Sequence, residues 1–301
     1  MGSLDGRVVV VTGAGRGIGR EHAVLFAAEG AKVVVNDLGG DRDGTGDDRS
    51  PAEEVVEEIR AAGGDAIANH DDVASWTGAQ QLIRSAVEHY GDLHVLVNNA
   101  GILRDRTLVN MSEDEFDAVV RVHLKGHFCT LRHAADYWRD QAKSGVAVDR
   151  SVINTSSTSG LFGQPGQTNY GAAKSGIAMM TMISAGELAR YHVRVNAIAP
   201  AALTRLTEGL PGVPDPNRGD EVGAMDPANV SPFVAYLGTP DCPITGRVFF
   251  VMGGSVQLFQ PWSIIDRIDA PGGSRWSIEE LQTKAAHFAE VPFKLNHPMR
   301  G

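Results

Sequence analysis

Short, wholly apolar runs alternate with longer amphipathic stretches along most of the chain. Val8 to Val11, opened by Arg7, is apolar at every position, which predicts a strand buried on both faces. Arg20 to Glu29 has helical spacing, with Gly30 as its C′ stop. Ala31 to Asp37 predicts a second strand. Ser50-Pro51-Ala52-Glu53 carries the residues of a capping box with Pro at the first helical position, opening a helix to about Ala62 before Gly63-Gly64. A short strand begins at Ala66, a helix spans Trp76 to Tyr90 and ends at Gly91, and Leu93 to Val97 is a fourth strand. Ser112-Glu113-Asp114-Glu115 is a second capping box. The helix it opens is expected to run unbroken to about Asp140, with Phe116, Val119, Val120, Leu124 and Phe128 as its apolar stripe. Strands follow at Ser151 to Asn154, Val193 to Ile198 and Arg247 to Val251, with a short helix at Pro227 to Leu237 before the last. This alternation predicts an α/β fold: a single-domain, Rossmann-like, doubly wound parallel sheet.

Residues 1–254 are expected to form that domain, and 255–301 a C-terminal extension. Trp262, Trp276 and a capped helix from Ser277 to about Ala289 suggest that the extension packs on the main domain or on a partner subunit.

Composition narrows the function classes. A net charge of −10 argues against nucleic acid as a partner, while leaving room for a local basic pocket. Cys129 and Cys242 lack metal-type spacing and read as buried, reduced thiols, so no metal and a cytoplasmic location are expected. No apolar run reaches the length of a membrane span. The N-terminus lacks a signal-type apolar region, Gly6 stands where myristoylation wants Ser or Thr, and Met299-Arg300-Gly301 is not a peroxisomal address.

Four segments carry candidate chemistry. Gly13, Gly17 and Gly19 lie between the first strand and its helix, where glycines let the backbone close on a pyrophosphate at a positive helix end. Asp37 ends the second strand, where a carboxylate accepts from the adenosine ribose and repels a 2′-phosphate. NAD is therefore favoured over NADP, although Arg16 pulls the other way. Asn98-Asn99-Ala100-Gly101 ends the fourth strand, at the edge where open α/β sheets bind ligands. Fourth, Tyr170 and Lys174 are i and i+4 on a predicted helix, with Tyr170 thirteen residues after Ser157. An ammonium beside a phenol lowers its pKa and makes it a usable acid or base. The polar stretch Leu38 to Arg49 is expected to be an inert surface loop, with a cofactor lid as the alternative.

Taken in order, the Gly-x-x-x-Gly-x-Gly loop, the Asn-Asn-Ala-Gly turn, Ser157 and Tyr170-x-x-x-Lys174 resemble the short-chain dehydrogenase/reductase family over roughly Leu4 to Gly254. The resemblance implies an NAD-dependent alcohol dehydrogenase with Ser157, Tyr170 and Lys174 catalytic. It implies cofactor contacts from Gly13, Arg16, Gly17, Ile18, Gly19, Asp37, Asn98, Ala100, Gly101, Tyr170 and Lys174. It further places Asp72 (or Asp71) and Val73 against adenine, and Leu203 and Thr204 against the carboxamide. Two departures stand out: His123 replaces the Asn of the usual proton relay, and Ala201 replaces the usual Gly after Pro200. His123 is thus either a relay group or a packing residue. The resemblance further implies a homodimer or homotetramer assembled through the long helices. Ala202 to Asp226 corresponds to the substrate loop.

Within the family, the VVVNDLGG segment, the loop after it, Val122 to Gly126 and the C-terminal tail look like one subgroup. It is the (3R)-hydroxyacyl-CoA dehydrogenase unit of peroxisomal multifunctional enzyme type 2, also called 17β-hydroxysteroid dehydrogenase type 4. That resemblance implies a (3R)-3-hydroxyacyl-CoA substrate, with a long acyl or steroid body, in β-oxidation. A free 17β-hydroxysteroid, an acyl-carrier-protein ketoreduction and a non-catalytic NAD sensor are the alternatives. Arg104, Arg106 and Arg205 are either contacts for CoA phosphates or ordinary exposed charges.

Overall fold

Every residue of the first valine run is buried, and the chain builds one sheet around it. The computed structural model describes residues 2–46, 48–205, 207–208, 222–273 and 275–291. Its strands are β1 (Val8–Thr12), β2 (Lys32–Asn36), β3 (Asp65–Asn69), β4 (Val95–Asn98), β5 (Arg150–Thr155), β6 (Val193–Pro200), β7 (Val248–Met252) and β8 (Ser255–Leu258). They lie in the order β3-β2-β1-β4-β5-β6-β7-β8. Pairing is parallel until β8, which returns antiparallel along β7. The order reverses between β1 and β4, so the carboxyl ends of these two strands part and leave a crevice.

The helices are α1 (Gly17–Ala28), α2 (Ser50–Ala61), α3 (Trp76–Tyr90), α4 (Glu113–Val120), α5 (Gly126–Lys143), α6 (Thr158–Phe162), α7 (Thr168–Leu188), α8 (Ser231–Gly238) and α9 (Ile278–Lys284). Alternate side chains of each strand serve opposite layers. Val9 and Val11 pack with Phe26, Ile59 and Val234, from α1, α2 and α8. Val8 and Val10 pack with Leu82, Leu131, Trp138 and Leu188, from α3, α5 and α7. At the far end of the sheet the buried Arg150 pairs with Asp92 at 2.6 Å, pinning β5 to the entry of β4.

Several expectations are corrected. The helix opened by Ser112 is not continuous. Its capping box forms, but the α-helical ladder gives way to a π-turn over Arg121–Lys125 before α5 begins. An inserted π-turn rotates the residues after it relative to a continuous helix, so Phe128 comes out exposed rather than in the core; Phe116, which precedes the turn, is exposed as well. Ser50 does not cap α2: it lies inside the helix, and its N and Oγ both donate to Asp48 Oδ1, at 3.1 and 2.7 Å. The segment Pro227–Val230 is a 3₁₀ turn, and α8 starts only at Ser231. β8 extends the sheet four residues past Gly254.

The chain divides into a unit spanning Met1–Leu258 and a second spanning Phe259–Gly301. In the second, Ser277 and Glu280 form the expected capping box on α9, a 3₁₀ turn follows over Ala286–Ala289, and His287 Nε2 lies 3.0 Å from Asp266 Oδ2. Most of the expected substrate loop, together with Asn296 to Pro298, lies outside the described residues. Among the described residues no helix is long and apolar enough to cross a membrane.

Candidate active site

The turn between β1 and α1 needs glycine for two separate reasons. Gly13 and Gly17 have φ of 62° and 56°, in the left-handed region. Gly19 is required by proximity: a Cβ there would sit 2.1 Å from Gly13 O. The turn delivers α1 with Arg16 at its N-cap and no side chain capping the helix, so first-turn N–H groups remain for an anion. Gly17 and Ile18 line the crevice, a solvent-open cleft of ≈ 200 Å³. An uncapped helix end opening on such a cleft fits a dinucleotide diphosphate.

Of the residues expected at the cofactor, Gly13, Arg16, Gly17, Ile18, Asp37, Asp72, Val73, Ala100, Gly101 and Thr204 line this one cleft. Three do not. Gly19 packs beneath the turn. Asn98 braces the sheet, donating to Asn154 Oδ1 at 3.0 Å and accepting from Thr130 Oγ1 at 2.7 Å. Leu203 bonds Met225 O through its N–H at 2.6 Å.

Asp37 is held by backbone, accepting from Gly15 N and Gly39 N at 2.8 Å each, which fixes its carboxylate in the cleft wall. Asp72 accepts from Ala74 N at 2.8 Å and forms an ion pair with Arg121. Asn99, Arg121 and Arg205 also line the cleft; the sequence offers Arg205 only as a candidate contact for CoA phosphates, and Asn99 and Arg121 no individual role. Asn99 Nδ2 donates to Thr12 O and Gly13 O, both at 3.1 Å, and so clamps β1 to the turn after β4. Its place in the Asn-Asn-Ala-Gly segment was the available signal; Arg121 had none.

The Leu38 to Arg49 loop is not an inert surface excursion. Gly40, Asp41 and Gly44 form part of the cleft lining. Arg42 O accepts from Leu103 N at 2.9 Å, Asp43 O from Arg104 Nε at 2.8 Å, and Gly40 O from Arg205 Nη2 at 2.8 Å. Arg104 and Arg205 are therefore occupied by this loop, while Arg106 pairs with Glu115 at 3.1 Å.

Beyond the end of β5, Ser157 caps the one-turn helix α6, accepting from Ser159 N at 3.1 Å. Gly160 lets α6 lie on α7, since a Cβ there would fall 2.7 Å from the Lys174 carbonyl carbon. That contact brings Ser157 to Tyr170, whose phenol it hydrogen-bonds. Lys174, one turn further along α7, is only 2% exposed. Its Nζ donates to Thr155 O at 2.6 Å and lies 5.5 Å from the Tyr170 ring centroid.

Burial dominates the electrostatics of this pair. It lowers Lys174 to about 7, and it raises Tyr170 to about 12 against the opposing hydrogen bond from Ser157. The phenol is thus not brought toward neutrality by Lys174 alone, as its spacing had suggested. The two groups together lose one proton near neutral pH and the next far above it.

The π-turn presents His123 to the same cluster. Its ring meets that of Tyr170 edge to face, 5.1 Å between centroids at 89°. Nε2 is 2.8 Å from Ile102 O, and Nδ1 is buried with no hydrogen-bond partner among the described residues. Burial, then the Lys174 charge, holds His123 well below the usual histidine range, so the ring is neutral. It fills the space beneath Gly101, where a Cβ would come 2.3 Å from His123 Cε1. Ser157, Tyr170, Lys174 and His123 therefore form one cluster, joined through Gly101 to the cleft.

Comparison with known proteins agrees with this layout. The family described as short chain dehydrogenase matches residues 7–210. A crystal structure of a short chain dehydrogenase from Mycobacterium avium superposes with a TM-score of 0.86 at 53% identity, covering 96% of each chain. Hydroxyacyl-CoA dehydrogenase ChsB1 of Mycobacterium tuberculosis is 43% identical over 285 residues, 92% of this chain and 87% of that protein. Peroxisomal multifunctional enzyme type 2 of Mus musculus is 43% identical over 251 residues, 83% of this chain but only 32% of that longer enzyme. With the Gly-rich turn, the clamped Asn-Asn-Ala-Gly segment and the Ser157–Tyr170–Lys174 cluster in one parallel sheet, the chain belongs to the short-chain dehydrogenase family and is an alcohol dehydrogenase.

Proposed function

We propose that this protein oxidises the secondary hydroxyl of a (3R)-3-hydroxyacyl-CoA to the ketone, with NAD as acceptor. The observation that carries the reading is the buried Lys174 Nζ beside the Tyr170 ring, with Ser157 bonded to the same phenol. The substrate class is supported by relatives named for hydroxyacyl-CoA dehydrogenation and for peroxisomal multifunctional enzyme type 2.

When bound, the nicotinamide dinucleotide supplies the hydride acceptor. The uncapped start of α1 would hold its diphosphate, and Asp37, fixed in the cleft wall, would accept from the adenosine ribose and exclude a 2′-phosphate. Ser157 donates to the substrate oxygen and orients it, a preorganised role that stabilises developing negative charge. Tyr170 removes the hydroxyl proton. Between pH of about 7 and about 12 the Tyr170–Lys174 pair holds a single proton. With that proton on Nζ, the phenolate is the base and Lys174 offsets its charge. His123, being neutral, serves as the packing partner that keeps the phenol aimed.

A homodimer or homotetramer is supported by apolar side chains left exposed on the long helices, among them Phe128, Met179 and Ile183. Light scattering showing a monomer would defeat that expectation. Two buried free thiols support a reducing, cytoplasmic setting.

The decisive experiment is steady-state NAD reduction with a (3R)-hydroxyacyl-CoA, its (3S) isomer and a free 17β-hydroxysteroid. Turnover confined to the (3R) thioester is the expected result. Preference for the free steroid overturns the substrate assignment while leaving the alcohol dehydrogenase chemistry intact.

A further inference from the structure

The segment between β4 and α4 lies beside the start of α7. Asn169 Nδ2 donates to Arg104 O at 2.9 Å, Arg106 N donates to Gly166 O at 2.9 Å, and Arg106 pairs with Gln167 as an isolated parallel bridge. At the centre of this contact, Gln167 Nε2 donates to Asp105 Oδ2 at 2.8 Å. Gln167 is the N-cap position of α7 and precedes Tyr170 by three residues, so the two side chains share a side of the first turn. The other carboxylate oxygen, Asp105 Oδ1, is shielded from solvent and has no hydrogen-bond partner among the described residues. Leaving a buried acceptor unmet costs about 1–3 kcal/mol, so a role is needed to explain its place. The flanking arginines do not neutralise it: Arg104 Nε is spent on Asp43 O and Arg106 on Glu115.

We propose that Asp105 is a positioning residue for the reaction: its carboxylate pins Gln167 at the head of the catalytic helix and lays a negative charge beside the Tyr170 phenol. The proposal rests on Tyr170 being the acid–base group. Four groups face that phenol, each from a different turn or element. Ser157 comes from α6 and the ammonium of Lys174 from the next turn of α7. The neutral ring of His123 comes from the π-turn and Asp105 from the segment after β4. Of these only Lys174 and Asp105 bring charge, and the signs are opposite. Lys174 favours the phenolate that takes a proton from an alcohol. Asp105 favours the phenol that gives one to a ketone, and its field raises the proton affinity of Tyr170. The balance between the two sets the pH at which the oxidising form of the pair appears.

Two substitutions separate the strut from the charge. Asp105→Asn keeps an oxygen for Gln167 and removes the charge; Asp105→Ala removes both. The pH dependence of kcat/KM for alcohol oxidation is measured for the parent and both variants. The ultraviolet tyrosinate titration of each is read as a difference from Tyr170→Phe, which reports the phenol without turnover. The expected result is an Asn variant whose rising limb and Tyr170 titration both move to lower pH, by about half a unit or more. The Asn variant also recovers most of the kcat lost in the Ala variant, with KM changing less than kcat. Asn curves that superimpose on the parent's overturn the proposal. Turnover surviving in Tyr170→Phe instead overturns the acid–base reading beneath it, so the two failures are told apart. If the Ala variant does not fold, the Asn titration alone decides.

Discussion

Replacing Lys174 with Met has a consequence for stability that can be worked out before any substrate is added. The side chain is 2% exposed, and burial takes its pKa down to about 7. In the unfolded chain the same group titrates near 10.4, as in model peptides. Between those values the unfolded state binds more protons than the folded one, so stability rises with pH. Because the folded value is the depressed one, the contribution is complete above the unfolded pKa and is lost as pH falls through about 7. The slope approaches about 1.4 kcal/mol per pH unit. From about pH 7 to about pH 9 the parent should therefore gain roughly 2 kcal/mol relative to the Met variant. Equilibrium urea unfolding of both proteins, at one protein concentration over that range, measures the difference directly, and titrations common to both cancel. The difference should grow steadily with pH. Parallel stability curves would refute the reasoning, since they would mean that Lys174 is hydrated and titrates as it does in a peptide.

Other outcomes follow from the same geometry. Tyr170→Phe should lower turnover by about 10²–10⁴ while NAD still binds, as followed by nucleotide fluorescence; unchanged turnover removes Tyr170 from the chemistry. Asp37→Ser should shift the ratio of kcat/KM for NADP over NAD by about tenfold or more toward NADP; an unmoved ratio places cofactor choice elsewhere in the cleft. Gly101→Ala puts a methyl 2.3 Å from His123 Cε1 and must displace the ring or the turn. It should cost about 1–3 kcal/mol in unfolding free energy and lower kcat, and a fully active, equally stable variant would mean that His123 has room to move.

Much of the fold is legible in the chain because its signals are local. A fully apolar run such as Val8 to Val11 can only be a strand covered on both faces, and a helix ending in Gly91, at φ 86°, announces its own stop. The Gly-rich turn, Asp37 and the Tyr170–Lys174 spacing are also readable, since each depends on a few neighbouring residues. The errors lie where a second claimant, near or distant in the chain, takes the group. Ser50 looks like a cap by spacing but is claimed by Asp48 as a donor, and Asn98 looks like a ligand residue but is consumed by Asn154 and Thr130. The long helix after Ser112 is continuous by periodicity, yet a π-turn interrupts it where His123 must fit between Ile102, Gly101 and Tyr170.

The sequence by itself determined the strand and helix succession, the cofactor turn and the identity of the hydroxyl, phenol and amine at the candidate site. Each is written in residues that lie within one or two turns of each other, or in the apolar pattern of a single element. Only the tertiary structure decided the protonation of those groups, because burial of Lys174 and Tyr170 moves their pKa values more than their spacing does. It alone joined Asp105 to Gln167, sixty-two positions apart, and Arg205 to Gly40, one hundred and sixty-five positions apart. Such contacts depend on how the elements pack, which local periodicity does not encode.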